Sequence, residues 1–407
     1  MARYLFLNYE SSSEAPNWQT VLLRAHSAKI QPACLCRYGE RPPMVIAKRR
    51  DQCVIRRMPN TGSLHAPFCD HYTPPPELSG IGQVSGSAVR EDAESETTVL
   101  SLDFALTKGQ ARPKGAEADT EHESVRSDGT KLTMRATLHY LYDQATLTRW
   151  SPKMAGRRSW NVIRRELLKA AADKRAKGVA LSDLIFIPES FNLDDAQGIA
   201  ERRASSLARL SASPSNRMMI IAPLKNIEQA RFGFKVTLRH LPDMPLACNE
   251  DIHRRLHRVF ATQLALWGQL EHSHLLLTGT ISLAPGGLHT LESACLTNVD
   301  SAWIPFESLY EYQLLEALGS AERRFLKGLR YNLAGNKPLA CAILLDTGDS
   351  STAMYVVPQD AEGDYEEAAK KLTEQSNMKT WFWYAGTAAM PELPPREFGQ
   401  KETDQEE

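Results

Sequence analysis

The chain has no apolar run approaching the roughly 20 residues that cross a bilayer as a helix, and its formal net charge is only −1. The first absence argues against a membrane-spanning helix. The second means that no global field draws the protein to nucleic acid or to a membrane, so any such attraction must come from a local patch. Cysteine is sparse and odd in number, seven in 407 residues. The opening "MARYLFLNYESSSEAP" has a short apolar run and no cleavage-site pattern, so no signal peptide is read. The compartment expected is therefore a reducing cytoplasm, where disulfide frameworks are rare. What remains is an ordinary globular balance, 42% hydrophobic and 24% charged, in a chain long enough for two or three cores.

Four of the seven cysteines and two of the eleven histidines fall between Ala33 and Tyr72. Cys34 and Cys36 form C-x-C, and His65 and Cys69 form H-x3-C. The intervening "MVIAKRRDQCVIRRMP" reads as two short strands. Zinc takes four tetrahedral thiolate or imidazole ligands, usually from two close pairs separated by a spacer, and soft thiolates favour it over magnesium or calcium. The expected cofactor is thus structural zinc on Cys34, Cys36, His65 and Cys69, with His71 as an alternative to His65. Cys53, flanked by Val54 and Ile55, reads as a small buried hydrophobe. The competing reading is a set of unrelated cysteines, since C-x-C is a weaker signal than paired C-x2-C knuckles. Lys48–Arg50 and Arg56–Arg57 would make the module's surface basic.

Residues 108–130 are polar and free of aromatics, which suggests a disordered linker. Before them "TTVLSLDFAL" at 97–106 alternates as a strand and is expected to complete the N-terminal module (1–107). From 131 to 215 the pattern turns helical. Leu138, Leu141, Tyr142 and Ala145 share one face, and Trp160, Ile163, Leu167 and Ala171 another. Two helices and a Gly-containing turn suggest a helix-turn-helix variant. Between Arg149 and Lys177 stand ten Lys/Arg against Glu166 and Asp173, a local excess of +8. With Trp150 and Trp160 interleaved, Arg149, Lys153, Arg157, Arg158, Arg164 and Arg165 read as a phosphate-backbone footprint. The competing reading is a solvated helix face with both tryptophans in the core.

The C-terminal segment (216–392) reads as strand, turn at "RFG", strand, then a helix capped by Asn249, then two strands around "APGG". His253 and His257, spaced i, i+4 on that helix, read as surface groups. From Trp303 the order is helix, basic segment, then two strands about a "DTGD" turn. This order resembles the core of restriction-endonuclease-like folds, which use a helix Glu, a strand Asp and then E-x-K to hold magnesium and position water. Glu311 and Asp346 are the candidates for the first two places. Tyr355, Val356 and Val357 stand where E-x-K is needed, so the site reads as degenerate. Arg323, Arg324, Lys327 and Arg330 form a second basic patch. A helix and the aromatic strand "TWFWYAG" would close the sheet, and 393–407 reads as a disordered tail.

"CLCRYGERPPMVIAKRRDQCVIRRMPNTGSLHAPFC", "RWSPKMAGRRSWNVIRREL" and "WIPFESLYEYQLLEAL…RRFLKGLRYN" occur in this order. Together they resemble the bacterial domain-of-unknown-function family 1173, over nearly the whole chain. The resemblance implies a cytoplasmic protein of plasmids and integrative elements and names no reaction. It also implies that Cys34, Cys36, His65 and Cys69 belong to a shared framework. The fold class expected is multidomain α+β, with a zinc module, a basic helical middle and a degenerate nuclease-like α/β domain. The function expected is zinc-stabilised nucleic-acid binding, DNA more than RNA, without catalysis. The rivals are a metal-dependent nuclease and a protein-interaction adaptor.

Overall fold

The computed structural model describes residues 2–397 apart from 50–51, 59–60, 93–96, 108–129, 336, 360 and 362. The linker expected at 108–130 therefore lies outside the described residues except for Thr130, as do Arg50 and the tail beyond Glu397. The architecture is mixed α+β.

At the N-terminus, alternation along Arg3–Phe6 buries Tyr4 and Phe6. This strand lies between Tyr9–Ser12 and Ala33–Cys34, antiparallel to both. The helix Trp18–Ser27 turns Leu22 and Ala25 inward. The expected hairpin forms from Met44–Arg49 and Gln52–Arg57, with Cys53 buried as read. These elements share one hydrophobic core with Leu326, Ile343, Tyr355 and Ala369 from the far end of the chain. The expected strand near 97–106 forms at Thr97–Leu100, but it does not return to this module. It pairs with Val89–Asp92 and, in parallel, with Lys174–Ala176 of the middle segment.

The middle helices form at Met134–Gln144 and Trp160–Ala171 and bury the apolar faces read from the sequence. Thr133 caps the first, its Oγ1 accepting from the Ala136 amide at 3.1 Å. They are not a helix-turn-helix, which needs a turn of roughly 3–4 residues. Residues 145–159 separate them, and Arg149–Trp150 within that stretch is a strand of the C-terminal sheet, paired with Phe325–Lys327. Both tryptophans are core residues; Trp160 Nε1 donates to Pro188 O at 2.9 Å.

Residues 218–299 close on themselves. The strand Met218–Gln229 pairs through its first half with His274–Leu283 and through its second half with Phe234–Leu238. A register shift at Leu224/Asn226 divides the two halves, as a bulge that bends a strand around a corner does. Phe234–Leu238 then pairs with Leu241–Cys248, which runs parallel to His289–Val299, itself antiparallel to His274–Leu283. Around the barrel the order is first, second, third, fifth, fourth and back to first. Two helices, Glu250–Val259 and Ala261–Gln269, sit between the third and fourth strands. This is the connectivity of an OB-type barrel. Asn249 caps the first helix as expected, Oδ1 accepting from Ile252 N at 2.8 Å.

The last unit is a helix Leu309–Ser320, strands Phe325–Lys327, Ala342–Leu344 and Thr352–Val357, a helix Tyr365–Gln375 and a strand Lys379–Tyr384. Each of the first three strands runs antiparallel to the next, and the last is parallel to the third. The tail is docked as far as it is described: Glu397 N donates to Asp346 O at 3.0 Å and Pro394 O accepts from Arg323.

Candidate functional site: a metal centre and its surrounding cations

Cys34 ends the strand beside Arg3–Phe6, and Cys36 lies in the turn that follows. A short 3-10 turn, Gly62–Leu64, delivers His65, and a further tight turn, Cys69 N to Ala66 O at 2.9 Å, delivers Cys69. The four ligand atoms lie within 4.8 Å of one another, and they are the single group of three or more His/Cys/Asp/Glu among the described residues that could hold a metal ion. Sγ of Cys34 is 3.8 Å from Sγ of Cys69, and His65 Nδ1 is 3.5 Å from Cys36 Sγ and 3.7 Å from Cys69 Sγ. Backbone amides of Ala66 and His71 point at Cys36 and Cys69 sulfur, at 3.4 and 3.5 Å. His71 is not in the group. It meets Tyr4 Oη at 2.7 Å and backs onto His65, ring centroids 5.6 Å apart. The choice of His65 over His71 is thus the one the geometry makes.

Three thiols in one pocket cannot all ionise without a cation. Hydrogen bonding from Cys34 and Cys69 holds the Cys36 thiol far below its ordinary range, while the same contacts and burial push Cys34 up to about 12 and Cys69 higher still. A bound dication removes that conflict by stabilising every thiolate together. His65 is wholly buried, and its Nε2 has no partner. Its Nδ1 faces the sulfurs, so the proton belongs on Nε2, the tautomer a metal ligand needs.

Two of the arginines expected to meet phosphate instead hold the metal loop. Arg149 Nη2 donates to Tyr72 O at 2.6 Å, and Arg324 Nη2 donates to Phe68 O at 3.0 Å. Ser351 Oγ reaches Tyr72 Oη at 3.2 Å. The segment 65–72 is therefore both the source of two ligands and the seat on which the C-terminal sheet rests.

Most other expected phosphate contacts are likewise internal. Arg158 donates to Leu147 O at 2.8 Å and to the Arg149 carbonyl, with its guanidinium 5.5 Å from the Trp150 ring centroid. Arg164 donates to Ile187 O at 2.9 Å and pairs with Glu189. Arg323, Lys327 and Arg330 are buried in ion pairs with Asp346, Glu311 and Glu307 at 2.8, 3.3 and 2.7 Å. They form no open face with the middle helices, which corrects the patch expected at 323–330. The sequence showed the charges, but not that carboxylates and carbonyls distant in the chain consume them. Lys153, Arg157 and Arg165 are exposed, and Arg165 pairs with Glu166 at 2.8 Å.

Glu311 and Asp346 pair with different cations, Lys327 and Arg323. Glu311 supports its own helix: its amide donates to Ser308 Oγ at 3.2 Å, and its Oε2 accepts from Glu307 N at 3.0 Å, much as a capping box does. It pairs with Lys327, whereas Asp346 accepts from Arg323 Nε and Nη2 and from Arg324 N.

His139 is a buried group that sequence reading passed over. Its Nδ1 accepts from Tyr331 N at 3.1 Å, and burial lowers its pKa to about 3. A depressed base contributes stability fully above its unfolded value, near 6.5, and loses it as pH falls toward 3. The stability gap between the parent and His139→Asn should therefore close on acidification from pH 7.5 to 5, by up to about 1.4 kcal/mol per pH unit below 6.5. Urea midpoints read it; a gap constant with pH would exclude His139 as the cause.

Fold and site together define a mixed α+β protein with a compact Cys3His centre that could hold a metal ion. The chain belongs to the family described as "Protein of unknown function (DUF1173)", whose model matches residues 4–386. No curated protein and no solved structure matches it. No helix among the described residues is long and apolar enough to cross a membrane.

Proposed function

We propose that this is a zinc-stabilised protein that binds nucleic acid through its barrel and has no catalysis of its own. Three sulfurs and an imidazole are a donor set for zinc. A tetrahedron with bonds of about 2.3 Å has sulfur–sulfur edges of about 3.8 Å, and the Cys34–Cys69 separation is 3.8 Å. Four protein ligands leave no open coordination position, so the metal is structural.

The nucleic-acid reading rests on one observation, the barrel's strand order together with what its loops expose. Barrels of this connectivity use the second and third strands, with the loops after the first and fourth, to bind oligonucleotides. Here Phe234 pairs with Cys248 and Ala247 with Thr290, which brings those two loops to one edge. The first loop carries Arg231 and Phe232 at its tip, the guanidinium 5.4 Å from the ring centroid and the ring 84% exposed. Gly233 makes the tip tight: its φ is +69°, and an added Cβ would meet Cys248 O at 2.6 Å. An exposed aromatic beside a cation is a stacking platform for an unpaired base. The mixed sheet carries Tyr355–Val357 where a nuclease of the expected kind would need E-x-K, and it is read as scaffold.

Fluorescence anisotropy with labelled single- and double-stranded DNA and RNA, with magnesium and at two salt concentrations, tests the reading. Salt-sensitive binding is expected, with single strands preferred. Phe232→Ala should weaken it by about 1–3 kcal/mol, the usual stacking contribution, without moving the melting temperature. Absence of binding at low salt would refute the proposal. A cleaved strand on a denaturing gel would refute the absence of catalysis.

A further inference from the structure

Between Cys34 and Arg57 stand seven Lys/Arg against two acids, Glu40 and Asp51, a local excess of +5 in a chain whose total is −1. The segment is a loop followed by the hairpin Met44–Arg49 and Gln52–Arg57. The loop is closed at its base: Cys34 N donates to Pro42 O at 2.8 Å, and Ala33 bridges Pro43. Two of its residues, Cys34 and Cys36, belong to the metal-ligand group. Arg37 ties it to the other ligand loop, Nη2 donating to His65 O at 3.4 Å, and pairs with Glu40 at 3.8 Å. Gly39 reverses the chain at a φ of +82°.

Tyr38 stands at the tip and is 97% exposed. A ring exposed singly is ordinary, but this one is presented by a turn that two metal ligands fix. Little order then has to be imposed on it when a partner arrives. Its chain neighbours Arg37, Gly39, Glu40 and Arg41 supply charge and no apolar patch of the kind that marks a protein-docking surface. Arg41 is exposed on the returning limb. The hairpin register sets Arg56 opposite Val45 and Arg57 opposite Met44, at the end that adjoins the loop. Both arginines are exposed.

We propose that the metal loop is a second contact for single-stranded nucleic acid, separate from the barrel. An unpaired base stacks on Tyr38, and the cations of the loop and hairpin follow the flanking phosphates. Stacking needs a free ring face and tolerates any base, and a basic surface that tracks the backbone is its usual companion. The attraction for phosphate comes from the field of the whole segment rather than from any one guanidinium. A duplex keeps its base faces stacked on one another, so single strands are preferred. The inference extends the nucleic-acid reading but shares no residue with the barrel loops.

Fluorescence anisotropy of the full-length protein tests this, with a labelled single strand of about 20 nucleotides, longer than the roughly 4–16 that one barrel covers. Tyr38→Ala should weaken binding about fivefold or more, and Tyr38→Trp should restore it. Neither should change the melting temperature or the zinc content. Arg41→Gln should make the binding less salt-dependent. Binding that Phe232→Ala weakens and Tyr38→Ala leaves intact would overturn this inference alone. Binding weakened by Tyr38→Ala but not by Phe232→Ala would uphold it and overturn the barrel contact. A loss in Tyr38→Ala that Tyr38→Trp fails to restore would also overturn it, since stacking asks only for an aromatic ring. No binding by the parent at low salt would overturn both.

Discussion

Cys69→Ser should lose stoichiometric zinc and several kcal/mol of stability, the largest effect of any single change considered. Zinc bound by thiolates contributes folding free energy directly, on the order of 10 kcal/mol or more in isolated zinc peptides. Cys69 sits 3.8 Å from Cys34 and 3.7 Å from His65, so one substitution breaks two edges of the ligand set. The damage should not stay local. Phe68 and Tyr72, either side of it, seat Arg324 and Arg149, and the neighbouring core is shared with the C-terminal sheet. Near-ultraviolet circular dichroism should therefore report loss of packing well beyond the N-terminal strands. Cys53→Ser, in the same core but outside the ligand set, should keep the metal. If Cys69→Ser retained one zinc per chain and the parent's melting temperature, the ligand assignment would be wrong.

Arg323→Ala is expected to cost about 3–5 kcal/mol, the usual consequence of leaving one member of a buried ion pair alone. The guanidinium gives Asp346 hydrogen bonds of 2.8 and 3.1 Å and donates to Pro394 O at 2.6 Å. Both side chains are under 10% exposed. Removing the cation leaves the buried carboxylate with only the Arg324 amide and the exposed Arg396 guanidinium, 3.7 Å away, so most of the loss comes from Asp346. Arg323→Met combined with Asp346→Leu should recover much of it, because an apolar pair leaves no buried charge. Chemical denaturation of the parent and the two variants decides the point. A double variant as unstable as the single one would show that Arg323 acts through the docked tail.

The difference between what the sequence disclosed and what it hid follows from range. The Cys/His cluster was legible because a shared metal centre constrains residue type and spacing locally, and the four residues do come together. Helix faces at Leu138–Ala145 and Trp160–Ala171 were legible because periodicity is local too. The cations were misread for the opposite reason. Arg149 and Arg324 answer carbonyls at Tyr72 and Phe68, 77 and 256 residues away, and no window of sequence contains both partners. The hairpins about "RFG" and "APGG" were read, but the barrel escaped notice because the third strand, Leu241–Cys248, was not, and because closure rests on the Met218–Pro223 pairing with the fourth strand, which no single hairpin announces. "RFG" registered as a turn; that its phenyl ring stands in solvent depended on the tight tip at Gly233.

The most direct test of the metal-centred account is zinc K-edge X-ray absorption on the protein as purified, with elemental analysis of the same sample. The account expects one zinc per chain, with three sulfurs at about 2.3 Å and one nitrogen at about 2.0 Å. A metal-free protein that is folded and stable, or a shell dominated by oxygen and nitrogen, would contradict it.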